Sequence, residues 1–192
     1  MQRRDLLRFA AVPLCGPSLA GLALAAPDAA LVERLRAGGV ALMLRHSTTD
    51  PGIGDPPGFR LDTCSTQRNL SEPGRQQAAR IGAWVREQQL VPARVRSSAW
   101  CRCLDTARLA FGNAEAWPAL NSFFGEAAAR ERQTALLATA VAAIPAGRFE
   151  VWVTHQVNIT ALTGTYAGMG DGCVIEGRAG SPVRVLGAFA LS

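Results

Sequence analysis

The chain has 192 residues, 48% of them hydrophobic, and a formal net charge of +5. That length and composition suit one ordinary domain with a packed core, once a leader segment is set aside. All 20 basic residues are arginine, which reads as compositional bias. No arginine run alternates with aromatics, so nucleic-acid binding has no support.

The leader comes first. Met1-Gln2-Arg3-Arg4-Asp5-Leu6-Leu7-Arg8 is a charged opening, and an apolar stretch from Phe9 to Ala26 follows. This is the layout of an export signal, and Arg3-Arg4 followed by Leu6-Leu7 resembles a twin-arginine signal. Ala23-Leu24-Ala25 offers the small-x-small pattern for cleavage before Ala26. Pro13, Gly16 and Pro17 interrupt the run and argue against a membrane-spanning helix. Cys15 follows Leu14 rather than the small residue that lipoprotein processing favours. The expectation is an export signal over 1–25, a single domain over 26–192, and a periplasmic or secreted location. Losing three arginines and one aspartate leaves the remaining chain mildly basic, at +3.

The domain opens with a short helix over Asp28 to Arg36, stopped by Gly38-Gly39. Val40 to Leu44 is an apolar run ending in Arg45-His46, and it reads as a buried strand. From Ser47 to Arg68 runs an irregular, Pro- and Gly-rich segment, read as a loop walling the site. Ser71 is a good N-cap and Pro73 suits the first turn of a helix reaching about Gln89. Its stripe of Ala78, Ile81, Ala83, Trp84 and Val85 is read as core. A short strand over Ala93 to Ser98 and a helix from Trp100 to Phe111, closed by Gly112, come next. Glu115 to Leu120 reads as a third strand, and Glu126 to Ile144 as the longest helix, stopped by Pro145. Phe149 to Thr154 is a fourth strand, ending in His155. A helix over Asn158 to Tyr166 and two short strands near Val174 and Val183–Phe189 finish the chain. Strands alternating with helices call for a three-layer α/β/α sandwich with a mostly parallel central sheet.

The chain has only two histidines, and both stand at strand exits. In open α/β sheets, chemistry collects just beyond the carboxyl ends of strands. Four blocks then carry a family resemblance. Leu44-Arg45-His46 resembles the start of an Arg-His-Gly signature. Asn69-Leu70-Ser71-Glu72-Pro73-Gly74-Arg75-Gln76-Gln77-Ala78 resembles a Leu-Thr-x-x-Gly-x-x-Gln-Ala helix start. Ser97-Ser98-Ala99-Trp100-Cys101-Arg102-Cys103-Leu104-Asp105-Thr106-Ala107 resembles Ser-Ser-x-x-x-Arg-x-x-x-Thr-Ala, and Val153-Thr154-His155 resembles a second-histidine strand. In this order they resemble the histidine phosphatase superfamily, which includes the phosphoglycerate mutases.

The resemblance implies a phosphoric ester hydrolase in which His46 attacks phosphorus and carries the phosphoryl group. Arg45, Arg102 and His155 then form the phosphate pocket. Elementary electrostatics agree, because a doubly charged phosphoryl group is best held by fork-shaped guanidinium groups. The nucleophile must be neutral, and an adjacent arginine disfavours the imidazolium. Ser47 replaces the usual Gly after Arg-His. The general acid is the larger departure. Ser122 stands where mutase-like members carry Glu, and Gln156 where acid phosphatases carry Asp. Glu126 is the expected substitute, with Asp50, Asp55 and Asp62 of the long loop as others.

Cys64, Cys101, Cys103 and Cys173 remain after signal removal, and four cysteines allow three pairings. Cys101 and Cys103 lie about 200° apart around a helix, so one partner cannot readily serve both. Pairing Cys64 with either would pin the long loop beside Arg102. Cys-x-Cys alone is a weak metal pattern, and neither metal nor cofactor is expected. The expected partner is a small phosphorylated substrate or a phosphohistidine protein, with no nucleic acid and no membrane span after cleavage. The alternative from another class is a non-catalytic phosphate-ligand or protein-binding module on the same fold.

Overall fold

The computed structural model describes residues 29–124 and 126–191, so the expected export segment over 1–25 lies outside the described residues. Among them the elements alternate as the patterning requires: α1 (Ala29–Ala37), β1 (Val40–Arg45), α2 (Glu72–Glu87), β2 (Arg94–Ser97), α3 (Cys101–Phe111) and β3 (Glu115–Ala116). They continue with α4 (Ala127–Ala142), β4 (Phe149–Thr154), α5 (Gln156–Thr163), β5 (Gly172–Glu176) and β6 (Arg184–Phe189). The strands form one sheet in the order β3-β2-β4-β1-β5-β6. β1, β2, β3 and β4 pair in parallel, and β5 runs against both of its neighbours.

Side-chain alternation along the central strands builds two cores, one on each face. Leu42 and Leu44 of β1 join Val151 and Val153 of β4 beneath Leu35 of α1, Ile81 and Val85 of α2 and Ala107 of α3. Ala41, Met43 and Trp152 point the other way, against Leu137 and Val141 of α4 and Ile159 of α5. The result is the expected three-layer α/β/α sandwich. Full burial of both faces is why these strands read as continuous apolar runs.

Three elements have boundaries that differ from expectation for local reasons. The third strand ends at Ala116, and Pro118–Leu120 forms a 3-10 turn instead. Proline has no N–H to extend a ladder. α5 starts at Gln156, straight after His155, and stops at Thr163, where Gly164 takes the left-handed conformation at φ 72°. α4 begins at Ala127, with Glu126 as its N-cap rather than its first residue, and it ends at Ala142, two residues short of Ile144.

The start of α2 lies directly over the exit of β1. Ser71 Oγ accepts a hydrogen bond from Gly74 N at 3.2 Å, and Ser71 N donates to the Thr48 carbonyl at 3.1 Å. Gly74 makes this approach possible, because a Cβ there would overlap the Thr48 carbonyl oxygen. Gln77, one turn on, accepts from Thr48 N at 3.0 Å and donates to the Met169 carbonyl at 2.8 Å. The block quoted above as a helix start therefore serves as a clasp between two loops at the site.

Candidate active site

β1 and β4 are neighbours in register, with Arg45 opposite Thr154. Their chains leave toward opposite faces, β1 toward α2 and β4 into α5. A crevice opens where adjacent strands part in this way. His46 and His155 sit at that point, 3% and 4% exposed, with ring centroids 5.6 Å apart in an edge-to-face arrangement.

His46 Nδ1 is 2.9 Å from the carbonyl oxygen of Ser47. A carbonyl can only accept, so Nδ1 carries the proton and Nε2 keeps its lone pair. Burial pushes the His46 pKa down to about 3, and Arg102, Arg45 and Arg68 add charge repulsion against the Ser47 hydrogen bond. The ring is a neutral base with one free nitrogen. His155 is held well below its ordinary value by burial first, then by His46 and the same arginines. Its Nε2 lies 2.8 Å from Ser98 Oγ and 3.5 Å from Cys103 Sγ, and Trp100 packs edge-on against the ring at 5.2 Å. Ser47 N donates to Thr106 Oγ1 at 3.0 Å, which ties the chain after His46 to α3.

Three arginines surround the pair. Arg45 donates from Nη1 to the Ala167 carbonyl at 3.1 Å and to Tyr166 OH at 3.3 Å. Arg102 is 4% exposed in the first turn of α3. Arg68 had no motif to mark it, yet it reaches Thr49 Oγ1 at 2.7 Å and the Gly52 carbonyl at 2.9 Å, and its charge acts on both histidines. The Nε atoms of Arg45, Arg68 and Arg102 are buried without a hydrogen-bond partner, as is Ser47 Oγ. Buried donors left open in one place fit an anion with several acceptor oxygens. Among the described residues, no group of three His, Cys, Asp or Glu side chains could hold a metal ion.

The long loop is tied down. Cys64 is disulfide-bonded to Cys101, the residue before Arg102, while Cys103 and Cys173 are free and buried. Gln67 accepts from Cys101 N at 2.9 Å and donates to the carbonyls of Arg60 and Leu61 at 2.9 and 3.1 Å.

The acidic candidates fare differently. The structure does not bring Glu126 to the imidazoles. Phe124 N bonds to Ser122 Oγ at 3.2 Å and Glu126 N to the Phe123 carbonyl at 2.8 Å, and this turn leaves Glu126 exposed. It lines a surface hollow with Ala128, Ala129 and Arg132 instead. Asp50 is exposed, and Asp62 pairs with exposed Arg60 at 2.8 Å. Asp55 does enter, but burial, which favours its acid form, is outweighed by the hydrogen bonds and charge of Arg102, and it stays a carboxylate. Gln156 is spent on Thr160 Oγ1 at 2.6 Å and on Ala167 N at 3.0 Å. Asp171 was not singled out from the sequence. Burial raises its carboxyl, against a Gly168 backbone hydrogen bond and the Arg45 charge, and its carbonyl accepts from Arg45 N at 2.8 Å.

No protein-family model and no curated protein matches the chain. Solved structures do. The native structure of a mycobacterial glucosyl-3-phosphoglycerate phosphatase matches at a TM-score of 0.56 and 20% identity, covering 81% of this chain and 100% of its own. The protein histidine phosphatase SixA, complexed with tungstate, matches at 0.51 and 13%, covering 79% and 96%. A protein from Thermus thermophilus matches at 0.56 and 16%, covering 79% and 99%. This chain has the fold of these three structures, and its paired histidines lie at the crevice that fold creates.

Proposed function

We propose that the protein is an exported histidine phosphatase-type hydrolase acting on a phosphomonoester or phosphoamidate. One observation carries the reading: a neutral, buried His46 with Nε2 unprotonated sits among three arginines whose buried Nε–H groups have no partner. His46 Nε2 attacks phosphorus in line, the N–P bond forms, and the bond to the leaving oxygen or nitrogen breaks. Water then attacks phosphorus, the N–P bond breaks, and phosphate and the neutral imidazole are regenerated. Positioning and charge stabilisation supply most of such a step, and Arg45, Arg68, Arg102 and His155 provide both. Solved relatives in fold with phosphatase names, one of them holding the tetrahedral oxyanion tungstate, support the reading. The Arg3-Arg4 leader and the Cys64–Cys101 disulfide support export to an oxidising compartment.

Acid-quenched reaction with a phosphorus-labelled aryl phosphate should trap an acid-labile, base-stable phosphohistidine, and His46→Ala should abolish it. Undiminished labelling of that variant would overturn the assignment. The second reading, a phosphate-ligand module without turnover, is favoured by Ser122 and Gln156 at the usual acid positions and by the outward Glu126. Steady-state hydrolysis of an activated aryl phosphate separates the two.

A further inference from the structure

Arg102 is held at the end of its guanidinium and not along its Nε edge. Its Nη1 donates to Asp55 Oδ1 at 2.6 Å and its Nη2 to Asp55 Oδ2 at 3.1 Å, a bidentate pair across the end of the guanidinium. Nη1 also reaches the Arg68 carbonyl at 3.3 Å. A guanidinium has a second fork, formed by Nε–H and the other Nη2 hydrogen, which matches two oxygens of a phosphate equally well. On Arg102 that edge has no partner in the free protein, and its Nε is buried without a hydrogen bond.

Asp55 is itself fully committed. Beyond Arg102, Oδ1 accepts from Arg68 N at 3.0 Å and Oδ2 from the Trp100 indole at 2.9 Å. Both members of the pair are nearly sealed, with side chains 5% and 6% exposed. The loop that carries Asp55 is fastened to α3 by the Cys64–Cys101 disulfide, one residue from Arg102. A carboxylate merely occupying the phosphate's place would have to leave on binding, breaking two donors that belong to neither phosphate nor Arg102.

Resting on the phosphatase reading, we infer that Asp55 is a positioning residue of the phosphate clamp. It grips Arg102 end-on, fixes the guanidinium plane, and leaves the side-on fork for the phosphoryl oxygens beside His46. It also offsets part of the mutual repulsion of Arg45, Arg68 and Arg102 in the free protein. The side chain acts through Arg102 and takes no proton from the substrate.

The test is orthovanadate binding by calorimetry to wild type, Asp55→Asn, Arg102→Ala and the double variant. Asp55→Asn should weaken binding by about tenfold, since a charge-assisted fork becomes a single neutral contact. In the Arg102→Ala background the same change should add nothing. Tighter binding by Asp55→Asn would make the carboxylate a competitor and overturn the proposal. So would an unchanged affinity, or an equal further loss in the Arg102→Ala background. Wild-type resonances provide a readout without substitution. On vanadate titration the Arg102 Nε–H signal should move downfield while the Asp55 carboxyl carbon stays in place, and movement of that carbon as the pair breaks would refute positioning. Failure of wild type to bind vanadate would overturn the phosphate reading itself, and this inference with it.

Discussion

Lowering the pH from 7 to 5 should destabilise the protein by about 2 kcal/mol through His46, with a further loss of the same sign from His155, because both histidines are buried neutral. His46 is pushed down to about 3, chiefly by burial, and His155 lies well below its ordinary value for the same leading reason. A group whose folded pKa is depressed contributes stability that is complete above its unfolded pKa of about 6.5 and is lost as pH falls through that value. With the folded His46 value at about 3, its loss between pH 7 and 5 depends only on the unfolded chain taking up protons. That amounts to about 2 kcal/mol for His46, and His155 adds a loss of the same sign. Asp55, with its lowered carboxyl, loses its own contribution only below this window. Asp171, with a raised carboxyl, pulls the other way as pH falls toward its folded value. Urea unfolding of oxidised protein at both pH values measures the difference. The His46→Asn/His155→Asn variant should lose far less than wild type over the same interval. Equal wild-type stability at pH 7 and 5, or an equal loss in the variant, would show that the imidazoles are not buried neutral.

Reducing the Cys64–Cys101 bridge, or replacing both cysteines by Ser, should cost about 2–5 kcal/mol of stability and raise KM for an aryl phosphate. Burial raises the Cys103 and Cys173 thiols to about 12 and about 11, so non-reduced peptide mapping should find them unpaired. Replacing Arg3 and Arg4 by Lys should leave precursor in the cytoplasm, and continued export would point to the general secretory route. Across a leaving-group series, rates should fall steeply as leaving-group pKa rises, since a positioned acid normally contributes about 10²–10⁴-fold. Glu126→Gln should leave that slope unchanged, and a slope that steepens in the variant would return the acid role to Glu126.

The parts of the fold legible in the sequence are those where one local pattern decides. The runs ending in His46 and His155 are apolar on both faces, so their strands and the crevice between them follow from composition and position. Ser71, Pro73 and Gly112 mark helix ends through cap chemistry that acts within a few residues. The 3-10 turn at Pro118 turned instead on a single missing N–H, and it escaped a reading based on alternation. The placement of Arg68 was not legible at all. Nothing near it in sequence requires charge, and its role in the site follows from a loop closed by the Cys64–Cys101 bridge, the Thr49–Leu70 bridge and the Asp55 contact to its backbone N–H. Asp55 and Arg102 are 47 residues apart, a pairing that no local rule can announce.

The same distinction bears on the missing acid. Sequence position alone suggested a carboxyl close to the family's usual place, and Glu126 was the nearest. A helix N-terminus places its capping residue according to the turn that leads into it, and here Glu126 is left exposed on the surface. Of the carboxyls that do approach the arginines, Asp55 is held ionised by four N–H donors and cannot deliver a proton near neutral pH. Asp171 differs in that burial prevails and its carboxyl moves toward the acid form, and it stands beside Arg45 rather than within a marked motif. A site so rich in cations and so poor in available protons suits leaving groups that bear negative charge well or arrive protonated. On the proposed phosphatase reading, aryl phosphates, phosphoanhydrides and phosphohistidine are therefore the expected substrates, ahead of simple sugar phosphates.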